Sequence, residues 1–272
     1  MQTELLNAFR GLDGAALAVE HGVGLEVAAA RPIPLDSLGA ATELACMAQT
    51  DQRWSKFAKA SLPSLIGKPL RAARRQPLRP AIEVAGDCTV GFLCLAAVDS
   101  DTFKPALFDF DTRARAAMKF KRNVSQSKGL VCGAIGEMVD NVFEHSGKPE
   151  SGIAGFLATP NYIDIAVADV GIGVLSSLRQ NPAYAYLSDA GMALSLAIRD
   201  GTSRFSTTAD GEGRGHGFST LFRGLNSLDA EIRLRSGNYA LEVGGQAVNE
   251  RAPTISEKAE LPGLIVTFRT YF

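Results

Sequence analysis

The stretch LVCGAIGEMVDNVFEH, residues 130–145, constrains this chain more than any other. Leu130, Val131, Ala134, Ile135, Met138, Val139, Val142 and Phe143 recur as adjacent pairs every four residues, which predicts a helix with one side in a core. Beside that side run Glu137, Asn141 and His145, advancing only about 40° per step and so forming a single polar stripe. One flank of the helix must therefore be covered while the next faces something polar. A carboxylate and an amide oxygen one turn apart suit Mg²⁺ shared with phosphate, because Mg²⁺ takes hard oxygens and few of them from protein. The carboxylate can alternatively orient or deprotonate a water. Taken alone, the pattern also fits a helix with an ordinary wet face.

Two further motifs lie downstream. In YIDIAVADVGIG, Ile163, Ile165 and Val167 alternate as in a strand, and Asp169 falls on the same face. An acid ending an apolar stripe is costly unless something pairs with it. An exocyclic amino group, such as that of adenine, is a suitable donor. Gly171 and Gly173 permit a sharp turn or a close backbone approach, and a plain Asp-Gly turn fits as well. The third motif, GEGRGHG, places glycine at 211, 213, 215 and 217 ahead of a predicted helix. Backbone N–H groups there would suit an anion. No strand immediately precedes it, so a dinucleotide-binding fingerprint does not fit. Gly67-Lys68 and Gly147-Lys148 are each followed by proline, so there is no phosphate loop of the G-K-[ST] type.

The rest of the chain reads more coarsely. Residues 1–60 look helical or mixed. Residues 62–80, with Pro63, Pro69, Pro77 and Pro80, read as a loop or linker. Residues 81–98 read as a hairpin through Gly86-Asp87, and residues 103–120 as part strand, then helix. GIAGFLA and YIDIAVADV read as strands around Pro160-Asn161. SDAGMALSLAIRD reads as a helix capped by Ser188 or Asp189. Residues 201–217 read as a long Gly/Ser/Thr-rich loop, and FSTLFRGLNSL as a helix. AEIRLRS and YALEVGG read as a hairpin through Gly237-Asn238, and GLIVTFRTYF as the closing strand. Helices followed by clustered strands indicate an α+β two-layer sandwich. The expected division is residues 1–110, a mixed α/β region of unassigned role, and residues 111–272, the domain that holds the motifs.

Net charge is −1, so no global field steers the chain to nucleic acid or membrane. Charge is locally uneven: Arg53, Lys56, Lys59, Lys68, Arg71, Arg74, Arg75 and Arg79 face a single acid, Asp51, across residues 51–80. That reads as a solvated face or as a docking patch for an acidic partner. Cys46, Cys88, Cys94 and Cys132 lack C-x-x-C spacing and suit reduced thiols of a cytoplasmic protein. No apolar run is long enough to span a bilayer, and no secretory leader is evident.

The ordered set E-x-x-x-N, D-x-G-x-G, G-x-G-x-G resembles the Bergerat-fold, histidine-kinase-like ATPases, the class of gyrase, Hsp90, histidine kinases and MutL. Twenty-eight residues separate Asn141 from Asp169 and 40 separate Gly173 from Gly213, spacings compatible with that fold. The resemblance covers about residues 115–272. It implies ATP and Mg²⁺ as ligands. Asp169 would hold the adenine amino group, with Gly171 and Gly173 shaping the pocket. Asn141 would ligate Mg²⁺, and Glu137 would act as general base or polariser. Gly213, Gly215 and Gly217, with His216 among them, would meet the phosphates. Residues 200–214 would be the lid, with Thr202 and Ser203 near phosphate or ribose.

DNVFEHS is closest in style to the anti-sigma-factor serine kinases, in which the histidine, here His145, is a packing residue. Glu144 stands where many sensor kinases carry lysine. His21 lacks the H-[ED]-x-x-x-P pattern of a phosphoacceptor. Three readings follow: an ATP-binding protein that signals through a protein partner held by its N-terminal region, a serine/threonine kinase of the anti-sigma type, and an ATP-gated interaction module with little turnover. An acidic partner fits the basic segment, a homodimer is allowed, and neither nucleic acid nor membrane is expected.

Overall fold

The computed structural model describes residues 4–25, 37–120, 123–199, 224–225, 227–244 and 253–272. In chain order the described helices are α1 (Glu4–Glu20), α2 (Leu38–Thr50), α3 (Gln52–Ser61), α4 (Ser64–Arg75), α5 (Ser100–Ala117), α6 (Val124–His145), α7 (Gly173–Leu178) and α8 (Ala190–Ala197). The strands are β1 (Ala81–Ala85), β2 (Cys88–Cys94), β3 (Ile153–Ala158), β4 (Tyr162–Ala168), β5 (Glu231–Val243) and β6 (Thr254–Tyr271). They form one antiparallel sheet in the order β1-β2-β3-β4-β6-β5. The fold is therefore α+β, with helices packed on an antiparallel sheet. No helix among the described residues is long and apolar enough to cross a membrane.

Strict alternation along the strands sorts the core into two faces. Leu93, Phe156, Ile163, Ile165, Val167, Ile232, Leu234, Val266 and Phe268 point to one face, where they meet Phe103 and Phe110 of α5, Val131, Ile135, Met138 and Val142 of α6, and Leu194 of α8. The apolar side of α6 thus lies in a core, as its residue pairs predict. The opposite face is covered too. Phe92, Ile153, Leu157 and Ala166 meet Leu38, Ala41 and Ala45 of α2 and Ile66, Leu70 and Ala73 of α4. Ala168, Ala259, Leu261 and Ile265 meet Leu5, Phe9 and Leu12 of α1 and Leu44 of α2. The N-terminal helices thus add a layer, and the sheet itself crosses the expected 110/111 division, since β2 pairs with β3.

Three local expectations are corrected. Residues 62–80 are not a linker: α4 carries Ile66, Pro69, Leu70 and Ala73 as a buried stripe. Pro63 stands at the start of that helix, while Pro77 and Pro80 lie beyond its end at Gln76, so three of the four prolines punctuate the helix rather than break it. Residues 100–117 are helical throughout, begun by Asp99, whose carboxylate accepts the Thr102 N–H at 2.9 Å. Residues 231–243 are one strand rather than a hairpin. Gly237, with φ of 56°, bulges it where the pairing with β6 shifts register. The turn at Gly86-Asp87, the strands around Pro160-Asn161, and α8 with Asp189 at its cap stand as the residues suggested.

The N-terminal layer rests on one half of the sheet through charges. Arg233 on β5 is 1 % exposed and meets Asp13 of α1 at 2.6 Å, Glu43 of α2 at 3.3 Å, and Glu242. Arg235 meets Glu43 at 3.3 Å and donates to the carbonyls of Gly237, Tyr239 and Ala259. Asp164 on β4 binds Arg269 of β6 at 2.5 Å and accepts the first N–H of α2, at Leu38. Glu231 likewise accepts the Leu5 N–H of α1 at 3.0 Å. Sheet carboxylates thus sit at the positive ends of both helices.

Candidate functional site

α6 places Glu137, Asn141 and His145 along one flank, as the spacing requires. Glu137 is exposed, while Asn141 and His145 are half-buried. The Asn141 amide nitrogen donates to the Glu137 carbonyl at 2.8 Å, one turn back. That bond uses the donor end of the amide and leaves Oδ1 as the end suited to a cation. Partial burial raises the Glu137 carboxyl above its ordinary range, and the charges of Asp140 and Glu144 add to the shift. His145 lies 4.0 Å from Glu144 through Nε2.

Ser146, at the end of α6, joins this helix to the second motif. Its carbonyl accepts the Ile172 N–H at 2.9 Å. Five residues separate Asn141 from Ser146, roughly 7.5 Å along the helix axis. The D-x-G-x-G turn is therefore tied to the same end of α6 that carries the polar stripe. Gly171 is required by this closeness, since a Cβ there would overlap the Ser146 carbonyl oxygen and crowd Asp169 Oδ1.

Asp169 follows the last residue of β4 and is 3 % exposed. Its Oδ1 accepts the Gly171 N–H at 2.8 Å, and its own N–H donates to the Leu264 carbonyl at 3.0 Å. Oδ2 makes no hydrogen bond among the described residues. Burial pushes this carboxyl up to about 6, partly offset by the backbone hydrogen bonds around it. Its charge also reaches Cys46 on α2, whose thiol burial pushes far above the ordinary range.

The remaining supports of the turn come from residues that the motifs do not include. Ser236 on β5, 1 % exposed, accepts the Val174 N–H at 3.1 Å and donates to the Gly263 carbonyl at 2.7 Å. Gly263, with φ of 83°, passes so close to Asp169 that a Cβ would overlap the Asp169 carbonyl oxygen. Gly173 has φ of 72° and lies against Ser236. Ser151 accepts the Val170 N–H at 3.1 Å and donates to the Lys148 carbonyl at 2.7 Å. The one sequence signal for this clasp is Gly263 directly after Pro262, at the head of the run that reads as the closing strand.

The third motif and the expected lid, including Thr202, Ser203, Gly211, Gly213, Gly215, His216 and Gly217, lie outside the described residues. Cys46, Cys94 and Cys132 are buried free thiols and Cys88 is half-buried. No cluster of three or more His, Cys, Asp or Glu residues able to hold a metal occurs among the described residues. In comparisons with family models, curated proteins and solved structures, nothing matches this chain.

Proposed function

We propose that this chain is a Mg-ATP-binding protein of the Bergerat, histidine-kinase-like class that acts through a protein partner. The observation that carries the reading is Asp169: a nearly inaccessible carboxylate with one oxygen held by Gly171, at a turn hydrogen-bonded to the end of the Glu137/Asn141 helix. A carboxylate buried without a cation is costly, and a ligand amino group offsets that cost. The donor set fits the nucleotide: an acceptor for an adenine amino group at Asp169, and hard oxygens for a hydrated Mg²⁺ at Asn141 and Glu137. A protein cluster of three acids is not required, because Mg²⁺ keeps waters and phosphate oxygens as ligands.

Within this reading the residues divide the work. Asp169 recognises and orients the base, and the glycines at 171 and 173 let the backbone close on it. Asn141 holds the cation, and Glu137 accepts or orients a proton near the phosphate end. Mg²⁺, when bound, supplies charge neutralisation at the phosphates. The raised Glu137 carboxyl favours a second reading, phosphoryl transfer to a serine or threonine of the partner, since a base with elevated affinity for protons suits that step.

Calorimetric titration of Mg-ATP and Mg-ADP into the wild type and Asp169→Ala tests the first reading. Binding by the wild type and its loss in the variant, with melting behaviour retained, is the expected result; no binding by the wild type counts against it. The transferase reading predicts labelling of a co-purifying partner from γ-labelled ATP, abolished by Glu137→Gln while nucleotide binding persists.

A further inference from the structure

The nucleotide reading leaves unused the basic segment at residues 53–79, which the fold turns into two helices with a common character. α3 buries Trp54 and Ala58 and exposes Lys56 and Lys59. α4 buries Ile66, Leu70 and Ala73 against the sheet and exposes Lys68, Arg71 and Arg75, spaced i, i+3, i+7 along its outer side. Arg53 is paired with Asp51, and Lys68 lies 3.6 Å from Glu83. Lys56, Lys59, Arg71 and Arg75 make no ion pair among the described residues. The Arg71 guanidinium lies back over Gly67, where an added Cβ would come within 2.9 Å of Nη1, so one of these cations is laid along the helix rather than left fully extended.

A second feature adjoins this stripe. β1 opens the sheet order, with β2 on one side and no strand on the other among the described residues. Its Val84 is 67 % exposed, and its Glu83 is the residue that Lys68 approaches. The unpaired backbone of an edge strand is a template for another polypeptide. The basic rim of α4 therefore adjoins a strand edge that is left open among the described residues.

We infer that the outer side of α4 and the β1 edge together form a docking surface for an acidic, extended segment of a partner protein. Its backbone pairs with β1, and its carboxylates face Lys68, Arg71 and Arg75. Charge complementarity selects an acidic occupant. A polypeptide fits better than a nucleic acid for two reasons. The open edge offers backbone hydrogen bonds that a duplex cannot use, and the exposed side carries no aromatic platform, Trp54 being buried and Phe57 half-buried. A membrane surface fits poorly, because the apolar sides of both helices are already in the core. The inference gives the partner of the proposed function a place and a chemistry, yet it does not require nucleotide.

The test uses the full chain and a fluorescein-labelled peptide of alternating glutamate and valine, read by anisotropy and by amide exchange. Expected are salt-sensitive binding, slower exchange in residues 81–85, and a loss of about tenfold or more in Arg71→Glu/Arg75→Glu with unchanged melting. Lys104→Gln/Arg113→Gln, which removes cations paired on α5, should bind as the wild type does. Asp169→Asn should also bind the peptide normally, so failure of the nucleotide site and failure of this surface are separable. Peptide binding that ignores the charge reversal, no binding by the wild type, or tighter binding of a short mixed-sequence DNA duplex to the same face would each overturn the inference.

Discussion

At the residue scale, Asp169 sets the strongest constraint. Its folded-state carboxyl titrates near 6 against an ordinary 3.8, so the folded chain holds that proton more tightly than the unfolded chain. The ionised form is therefore the destabilising one. Its penalty is absent below the ordinary value, grows as pH rises through the interval, and is complete above 6. A shift of this size corresponds to at most about 3 kcal/mol. Asp169→Asn keeps an oxygen for the Gly171 N–H and removes the charge. It should be more stable than the wild type at about pH 7.5, by up to that amount. The gain should shrink as pH falls through 6, and urea unfolding across the interval measures it. A gain that persists unchanged at lower pH would show that burial of the charge is not its cause. Under the proposed function Asp169→Asn also loses nucleotide, since the amide presents a donor where the base presents one. Gly171→Ala makes a different case. Its Cβ meets backbone, the Ser146 carbonyl, and no flexible side chain can yield. A destabilisation of about 3 kcal/mol or more is expected, because the bond from Ile172 to Ser146 must break or β4 must shift. A variant within about 0.5 kcal/mol of the wild type would show that the turn has room the structure does not give it.

At the element scale, the legible parts were those in which one periodicity ruled. α6 announced itself through paired apolar residues every four, and β4 through strict alternation to Asp169. α4 is less legible because Pro63, Pro69, Pro77 and Pro80 mask the stripe Ile66, Pro69, Leu70, Ala73, which has helical spacing. β5 and β6 were obscured for another reason. Both are long, and their inward residues on the second face include Arg233, Arg235, Thr267 and Arg269, polar types that an amphipathic strand ordinarily turns outward. These are buried only because α1 and α2 bring Asp13 and Glu43 to the arginines, while Asp164 of β4 meets Arg269. No local pattern encodes pairings between residues more than 100 positions apart. They make a prediction, however. Glu43→Ala leaves Arg233 and Arg235 buried with less counter-charge, and should cost about 3–5 kcal/mol in chemical unfolding. Glu83→Ala removes the far more exposed partner of Lys68 and should cost under about 1 kcal/mol. Equal costs for the two would mean that the buried network adds nothing specific to docking the helices.

At the scale of the whole molecule, the issue is whether residues 111–272 form a unit. The motifs all lie there, and they alone would place a boundary near 110. The sheet argues otherwise. β2 contributes Phe92 and Leu93 to opposite faces and pairs with β3 over six residues, so cutting before β3 removes a strand from the interior of the sheet. Without α1, α2 and α4, the second face would expose Ile153, Leu157, Ala166 and Ile265 along with two arginines stripped of their partners. Apolar exposure and uncompensated charge act in the same direction. Expressed alone, residues 111–272 should therefore show no cooperative thermal transition and should aggregate, whereas the full chain should melt in one step seen alike by circular dichroism and tryptophan fluorescence. The probe is apt because Trp54, the only tryptophan, is buried in the N-terminal layer. A cooperative transition of the 111–272 fragment would restore the two-unit reading. Two separated transitions in the full chain, with fluorescence changing before circular dichroism, would instead mark the N-terminal helices as a layer that leaves the sheet first. A single transition makes the Asp169 turn and the basic side of α4 parts of one folding unit. Asp169 and the cations of α4 then belong to one cooperative structure, so a ligand bound at either place raises the stability of the whole.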